Sequence, residues 1–185
     1  MRKLVLFLVL AVTASGCRGN QGWSEIFIKK GESYFKKGKY DLALDEFTKA
    51  KHFDPSGERI YENMARTYLK MNNQSVAVEA VNKLIQLHPD AGAEIYFLRG
   101  EAVAMNPVRR PEAITAGYNH AIEKDPSQGK YYFRRGMTYQ KLGRTDMVEK
   151  DLAEARRLGY KELKKLPRFF CSYFWSHPRS CWPRD

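Results

Sequence analysis

The side chains best equipped for covalent chemistry are three cysteines: Cys17, Cys171 and Cys181. A thiolate is both a nucleophile and a metal ligand. Only His177 lies near the last two, and no second ligand pair supports them, so a metal centre is not expected. The other histidines, His52, His88 and His120, each fall late in a periodic apolar segment, where a surface or helix-end role suffices. The chain carries no Gly-rich phosphate loop and no nucleophile elbow. Its carboxylates are scattered among lysines, as on solvated helix faces. These residues form no catalytic constellation, so neither enzymatic activity nor a cofactor is expected.

Cys17 stands at a telling place. Arg2 and Lys3 precede a nine-residue apolar run, Leu4 to Val12, followed by Ala14, Ser15 and Gly16. That is the layout of a secretory signal, with a run too short to span a bilayer. Ser15-Gly16-Cys17 resembles the cleavage site of bacterial lipoproteins, with Ala14 where that family usually has Leu. The resemblance implies cleavage before Cys17, a diacylglyceryl thioether on its sulfur and an acyl chain such as palmitate on its nitrogen. Two or more acyl chains hold a protein firmly at a membrane, where one holds it marginally. Arg18, standing where inner-membrane retention uses Asp, implies an outer-membrane anchor facing the periplasm. With Cys17 acylated, Cys171 and Cys181 remain as an even pair in an oxidising compartment. They form either a disulfide or two thiols buried among aromatic residues.

The formal charge of +11 falls to +9 once Arg2 and Lys3 leave with the signal. A basic balance points to acidic partners such as lipid head groups, envelope polymers or an acidic protein face. An exported chain seldom meets nucleic acid, which is not expected as a partner.

What positions these residues is a 34-residue echo. Gly31, Tyr34, Ala43 and Pro55 return as Ala65, Tyr68, Ala77 and Pro89. A fixed period of this size marks stacked helix pairs. The segment from Ser24 to Gly57 resembles a tetratricopeptide repeat (TPR) at nearly every position: Phe27, Gly31 and Tyr34 on a first helix (A), Gly38 at the turn, Ala43, Phe47 and Ala50 on a second (B), and Pro55 at its end. The small residues sit where two helix axes cross closely. Residue 54 precedes proline and is pushed out of the helical region, which stops the helix. The second unit repeats the pattern with Tyr61, Val81 and Leu84, and Asn72-Asn73 replaces the glycine turn. The third is irregular, with about two extra residues in a turn carrying Arg109-Arg110 between prolines, either a basic finger or a drifted loop. The fourth holds Tyr132, Gly136, Tyr139, Gly143, Leu152 and Ala155. The expected fold is all-α: a solenoid of about four helix-turn-helix repeats (about 24–57, 58–91, 93–127 and 129–159) closed by a capping helix at 160–166. Residues 1–16 are the signal, 17–23 an anchor linker and 167–185 a tail.

In the resembled family, helix A lines a concave groove. Carried over, the lining includes Glu25, Ile28, Glu32, Phe35 and Lys36, then Arg59, Glu62, Arg66, Leu69 and Lys70. The third unit adds Glu94, Phe97, Glu101, Ala104 and Met105, and the fourth Lys130, Phe133, Met137, Gln140 and Lys141. The candidate binding residues are Ile28, Phe35, Arg59, Arg66, Leu69, Phe97, Phe133 and Met137. Phe97 and Phe133 are either core or anchors for an apolar helix or extended peptide. Some relatives clamp a chaperone's C-terminal carboxylate with Lys and Asn; Ile28 and Glu32 fill two of those slots here, so that clamp is not expected. The tail crowds Phe169, Phe170, Tyr173, Phe174, Trp175 and Trp182 among arginines. From Arg156 onward eight cations face only Glu162 and Asp185, a net +6. The tail either covers the last repeat, lies on a membrane surface or docks a partner. The resemblance implies a lipid-anchored scaffold, similar to outer-membrane pilotins and envelope-assembly lipoproteins, that binds a protein or peptide. The alternative is an anionic polymer or lipid held by the tail.

Overall fold

The structure, a computed structural model, describes residues 22–105 and 111–165. They form eight α-helices and one 3₁₀ turn, with no strand among the described residues. The first compact unit, ending at Asp90, holds α1 (22–36), α2 (Tyr40–Phe53), α3 (Glu58–Lys70) and α4 (Gln74–Leu87). The second, beginning at Ala91, holds α5 (Ala93–Ala104), α6 (Pro111–Lys124), α7 (Gly129–Lys141), α8 (Thr145–Arg157) and the 3₁₀ turn Lys161–Lys165. Helices pair as α3/α4, α5/α6 and α7/α8, and α2 packs on α3 as α6 packs on α7. The capping helix expected over 160–166 is thus a single 3₁₀ turn, whose Leu163 packs against Val148 and Leu152 of α8.

Each hairpin closes around one small-to-large contact. A Cβ on Gly31 would lie 2.5 Å from the Phe47 ring, and one on Gly100 would lie 2.6 Å from the Tyr118 ring. The aromatic side chains fill the space that glycine leaves, so the helix axes approach closely. The second hairpin holds Ala65 and Val81, both fully buried, in the corresponding slots. Around the first contact gather Ile28, Ala43, Ala50 and Ile60, with Phe27, Tyr34, Phe35 and Met64 packed alongside.

The turns between A and B helices repeat one device. Gly38, Asn72 and Gly143 adopt φ of 71°, 58° and 68°. The residue after each donates its N–H five residues back, Lys39 to Tyr34, Asn73 to Tyr68 and Arg144 to Tyr139, at 2.8–3.0 Å. This left-handed closure satisfies carbonyls that a helix end leaves open. Asn72 is the asparagine that takes the glycine role.

An ion pair ties A to B in two hairpins, at matching slots. Lys30 Nζ donates to Glu46 Oε1 at 3.0 Å, and Arg135 forks onto both oxygens of Asp151 at 2.9 and 2.7 Å. The second hairpin has Met64 and Ala80 at these slots instead. Glu46 is buried, receives a second bond from Lys49 at 2.8 Å and leaves Oε2 without a partner. Burial works to raise its carboxyl, but the bonds from Lys49 and Lys30 outweigh that and hold it below the usual range. Unfolded, this carboxyl titrates at about pH 4.3, so the stabilisation is complete above that pH and is lost as pH falls through the lower folded value. Urea unfolding from pH 6 to pH 3 is expected to show wild type losing more stability than Glu46→Gln. Parallel losses would remove Glu46 from the acid sensitivity.

Candidate peptide-binding faces

Each unit sets two A helices side by side: α1 with α3, and α5 with α7. Spacings of three and four place Glu25, Glu32 and Lys36 along one stripe of α1, and Arg59, Asn63, Arg66 and Lys70 along one stripe of α3. Arg59 joins the stripes. Its Nη1 donates to both oxygens of Glu25 at 2.9 and 3.1 Å, and its Nε and Nη2 donate to the two oxygens of Glu32 at 3.0 Å each. Asn63 Nδ2 adds a bond to Glu32 at 3.1 Å. Arg66 is held by Glu62 of its own helix at 2.8–2.9 Å.

The second unit repeats the scheme. Glu94 and Glu101 each stand 69 residues after Glu25 and Glu32. Lys130 Nζ donates to Glu94 Oε2 at 2.5 Å, joined by the Tyr131 hydroxyl at 3.3 Å. Arg134 grips Glu101 through Nε at 2.7 Å and through Nη2, while the Tyr118 hydroxyl donates to the same carboxylate at 2.6 Å. Burial, then the Glu94 charge, pushes the Tyr131 phenol up to about 12. Burial and Glu101 push Tyr118 well above its ordinary value. Both phenols therefore stay protonated donors at neutral pH, and the two carboxylates are fully engaged. In both units, two glutamates of the first A helix are latched by cations of the second.

The candidate residues divide. Arg59 is exposed on the unit 1 face, and Arg66 and Leu69 are half-buried on it. Ile28 is instead in the core, 5% exposed beside Phe47 and Ile60. An apolar side chain in that slot turns inward, where burying it is worth about 2 kcal/mol. Phe35 is half-buried against the same cluster, its ring 5.6 Å from Tyr40. Phe97 lies between Tyr118 and Tyr131, at 5.7 and 5.0 Å, with Lys130 Nζ 5.1 Å over its ring. Phe133 meets the Tyr160 ring at a tilt, centroids 5.1 Å apart, and, with Met137, packs against Val148 and Leu152. Most of the apolar candidates, Ile28, Phe35, Phe97, Phe133 and Met137, therefore serve as packing beneath the faces. Sequence reading did not single out the latches; the recurrence of two glutamates at one interval was the signal available. Cys17, Cys171, Cys181, Arg109-Arg110 and the tail lie outside the described residues.

His120 Nδ1 sits 2.8 Å from the Ala116 carbonyl with its ring on Tyr96, and His88 Nε2 sits 2.5 Å from the Ser56 carbonyl. No cluster of three metal-ligating side chains occurs among the described residues, and no described helix is long and apolar enough to cross a membrane. What the faces offer is shape, exposed cations such as Lys36 and Lys70, and the tops of half-buried apolar side chains.

The family model described as "Tetratricopeptide repeat" matches residues 24–56, 58–90 and 129–156. The third hairpin falls outside those matches, and it carries the longer turn. A DnaJ homolog subfamily C member 7 homolog from Dictyostelium discoideum is 26% identical over 148 residues, 76% of this chain. The match spans 26% of that relative's length. Among solved structures, a crystal structure of MamA protein aligns with TM-score 0.68 at 20% identity, covering 76% of this chain and 75% of that one. The first TPR domain of Spaghetti (RPAP3), solved with the HSP90 peptide SRMEEVD, aligns with TM-score 0.62 at 26% identity, covering 66% of this chain and 95% of that one. With the three matched stretches making up just over half of its 185 residues, this chain belongs to the tetratricopeptide repeat family.

Proposed function

We propose that this protein is a scaffold held at the bacterial outer membrane through lipids on Cys17, and that its A-helix faces bind a peptide or helix of a partner during assembly of an envelope complex. It performs no chemistry on that partner. The observation that carries this reading is the latching of paired A helices: Arg59 across Glu25 and Glu32, and Lys130 and Arg134 across Glu94 and Glu101. A face locked before binding loses little entropy when a partner arrives. The peptide held by the Spaghetti (RPAP3) domain supports peptide recognition by this architecture. The Ser15-Gly16-Cys17 site supports the anchor, and the anchor confines the search for a partner to one surface. Photo-crosslinking in intact cells tests the reading: a photoreactive residue at Lys36 or Lys70, on A helices, should capture a partner that one at Glu79 or Lys83, exposed on α4, does not.

A further inference from the structure

The outer side of α1 presents a stripe that its counterparts later in the chain keep covered. On α3, Ile60 and Thr67 are fully buried where that helix meets α2. On α7, which packs on α6, Tyr131 and Thr138 are buried in the same slots. On α1 these slots hold Ile26, 54% exposed, and Ser33, also exposed. Trp23, one turn earlier on the same stripe, is 55% exposed. Lys37 continues it at helical spacing, while Lys30, between Ile26 and Ser33, is tied to Glu46 of α2.

We propose that this stripe rests on an anionic lipid surface. The inference builds on the anchor at Cys17 proposed above. Trp23 stands six positions after Cys17, and an extended chain spans at most about 3.5 Å per residue, so the stripe begins within about 21 Å of the attachment point. Its chemistry fits that neighbour. An indole and an aliphatic side chain gain by entering the interfacial layer, and the exposed Lys37 on the same stripe meets lipid phosphates. A second copy of the same stripe is a poorer occupant, because the stripe positions Trp23, Ile26, Ser33 and Lys37 offer no carboxylate to meet the partner's Lys37.

The test uses the full mature chain, purified from membranes and placed in phosphatidylethanolamine–phosphatidylglycerol vesicles with brominated acyl chains. Bromine quenches indole emission at contact range, and the difference between wild type and Trp23→Ser isolates Trp23 from the other tryptophans. Trp23 is exposed, so its replacement is expected to leave helicity unchanged, which circular dichroism checks. The Trp23 share of emission is expected to fall about twofold or more, and Ile26→Asp is expected to reduce that quenching. Fatty-acid labelling of the same samples reads the anchor separately. A labelled, vesicle-bound protein with unquenched Trp23 overturns this inference and leaves the anchor standing. Quenching without labelling supports the lipid contact and refutes the anchor. Neither labelling nor vesicle association overturns both.

Discussion

Phe47→Ala is expected to destabilise the protein by about 4 kcal/mol, because the ring is fully buried and its loss leaves a cavity between the paired helices. The same contact can be loaded from the other side. Gly31→Ala puts a methyl 2.5 Å from the Phe47 ring and is expected to cost about 2 kcal/mol through overpacking. The second hairpin shows the remedy, since it holds Ala65 and Val81 at these slots. Gly31→Ala with Phe47→Val should therefore cost less than the sum of its parts by about 1 kcal/mol or more. Urea unfolding of the two single variants and the double variant decides this. Strict additivity would mean that the two side chains do not share one space.

Asp151→Ala is expected to cost about 3 kcal/mol, because it strands the Arg135 guanidinium in a half-buried site. Arg135 keeps one neutral acceptor, Asn119 Oδ1 at 2.8 Å, and the rings of Tyr132 and Tyr139. These do not replace a carboxylate gripped by two bonds. Again the second hairpin holds the apolar solution, Met64 with Ala80. Arg135→Met combined with Asp151→Ala should recover most of the loss, since a well-packed apolar pair can match a buried ion pair. If the double variant is no more stable than Asp151→Ala alone, the cost lies in packing around residue 151 rather than in the abandoned charge.

Both predictions show why so much of the fold was legible in the chain. The crossing slots hold only a few residue types, so Gly31, Ala65, Gly100 and Gly136 recur on schedule, as do the larger residues opposite them. The left-handed turn position admits little besides glycine and asparagine, which made Asn72 readable beside Gly38. The latches were harder to see. Glu32 meets Arg59 across 27 residues, and a charge run looks the same whether it faces water or a neighbouring helix. Ile28 was misplaced for a related reason: a slot rule says which way a position points on average, while the side chain itself decides whether it turns to solvent or into the core. The expected cap takes the form of a 3₁₀ turn over Lys161–Lys165, whose Leu163 packs against α8.

The binding account predicts where a partner touches. An A-helix face latched by Arg59 is ready to be covered, whereas Glu79 and Lys83 are exposed on α4, a B helix. Crosslinking in intact cells from Lys36 and Lys70, set beside crosslinking from Glu79 and Lys83, is the most direct measurement. The account predicts one discrete adduct from the first pair, lost when Arg59→Glu reverses the charge of the latch, and none from the second. Equal capture from both sides, or an adduct indifferent to Arg59→Glu, would contradict it.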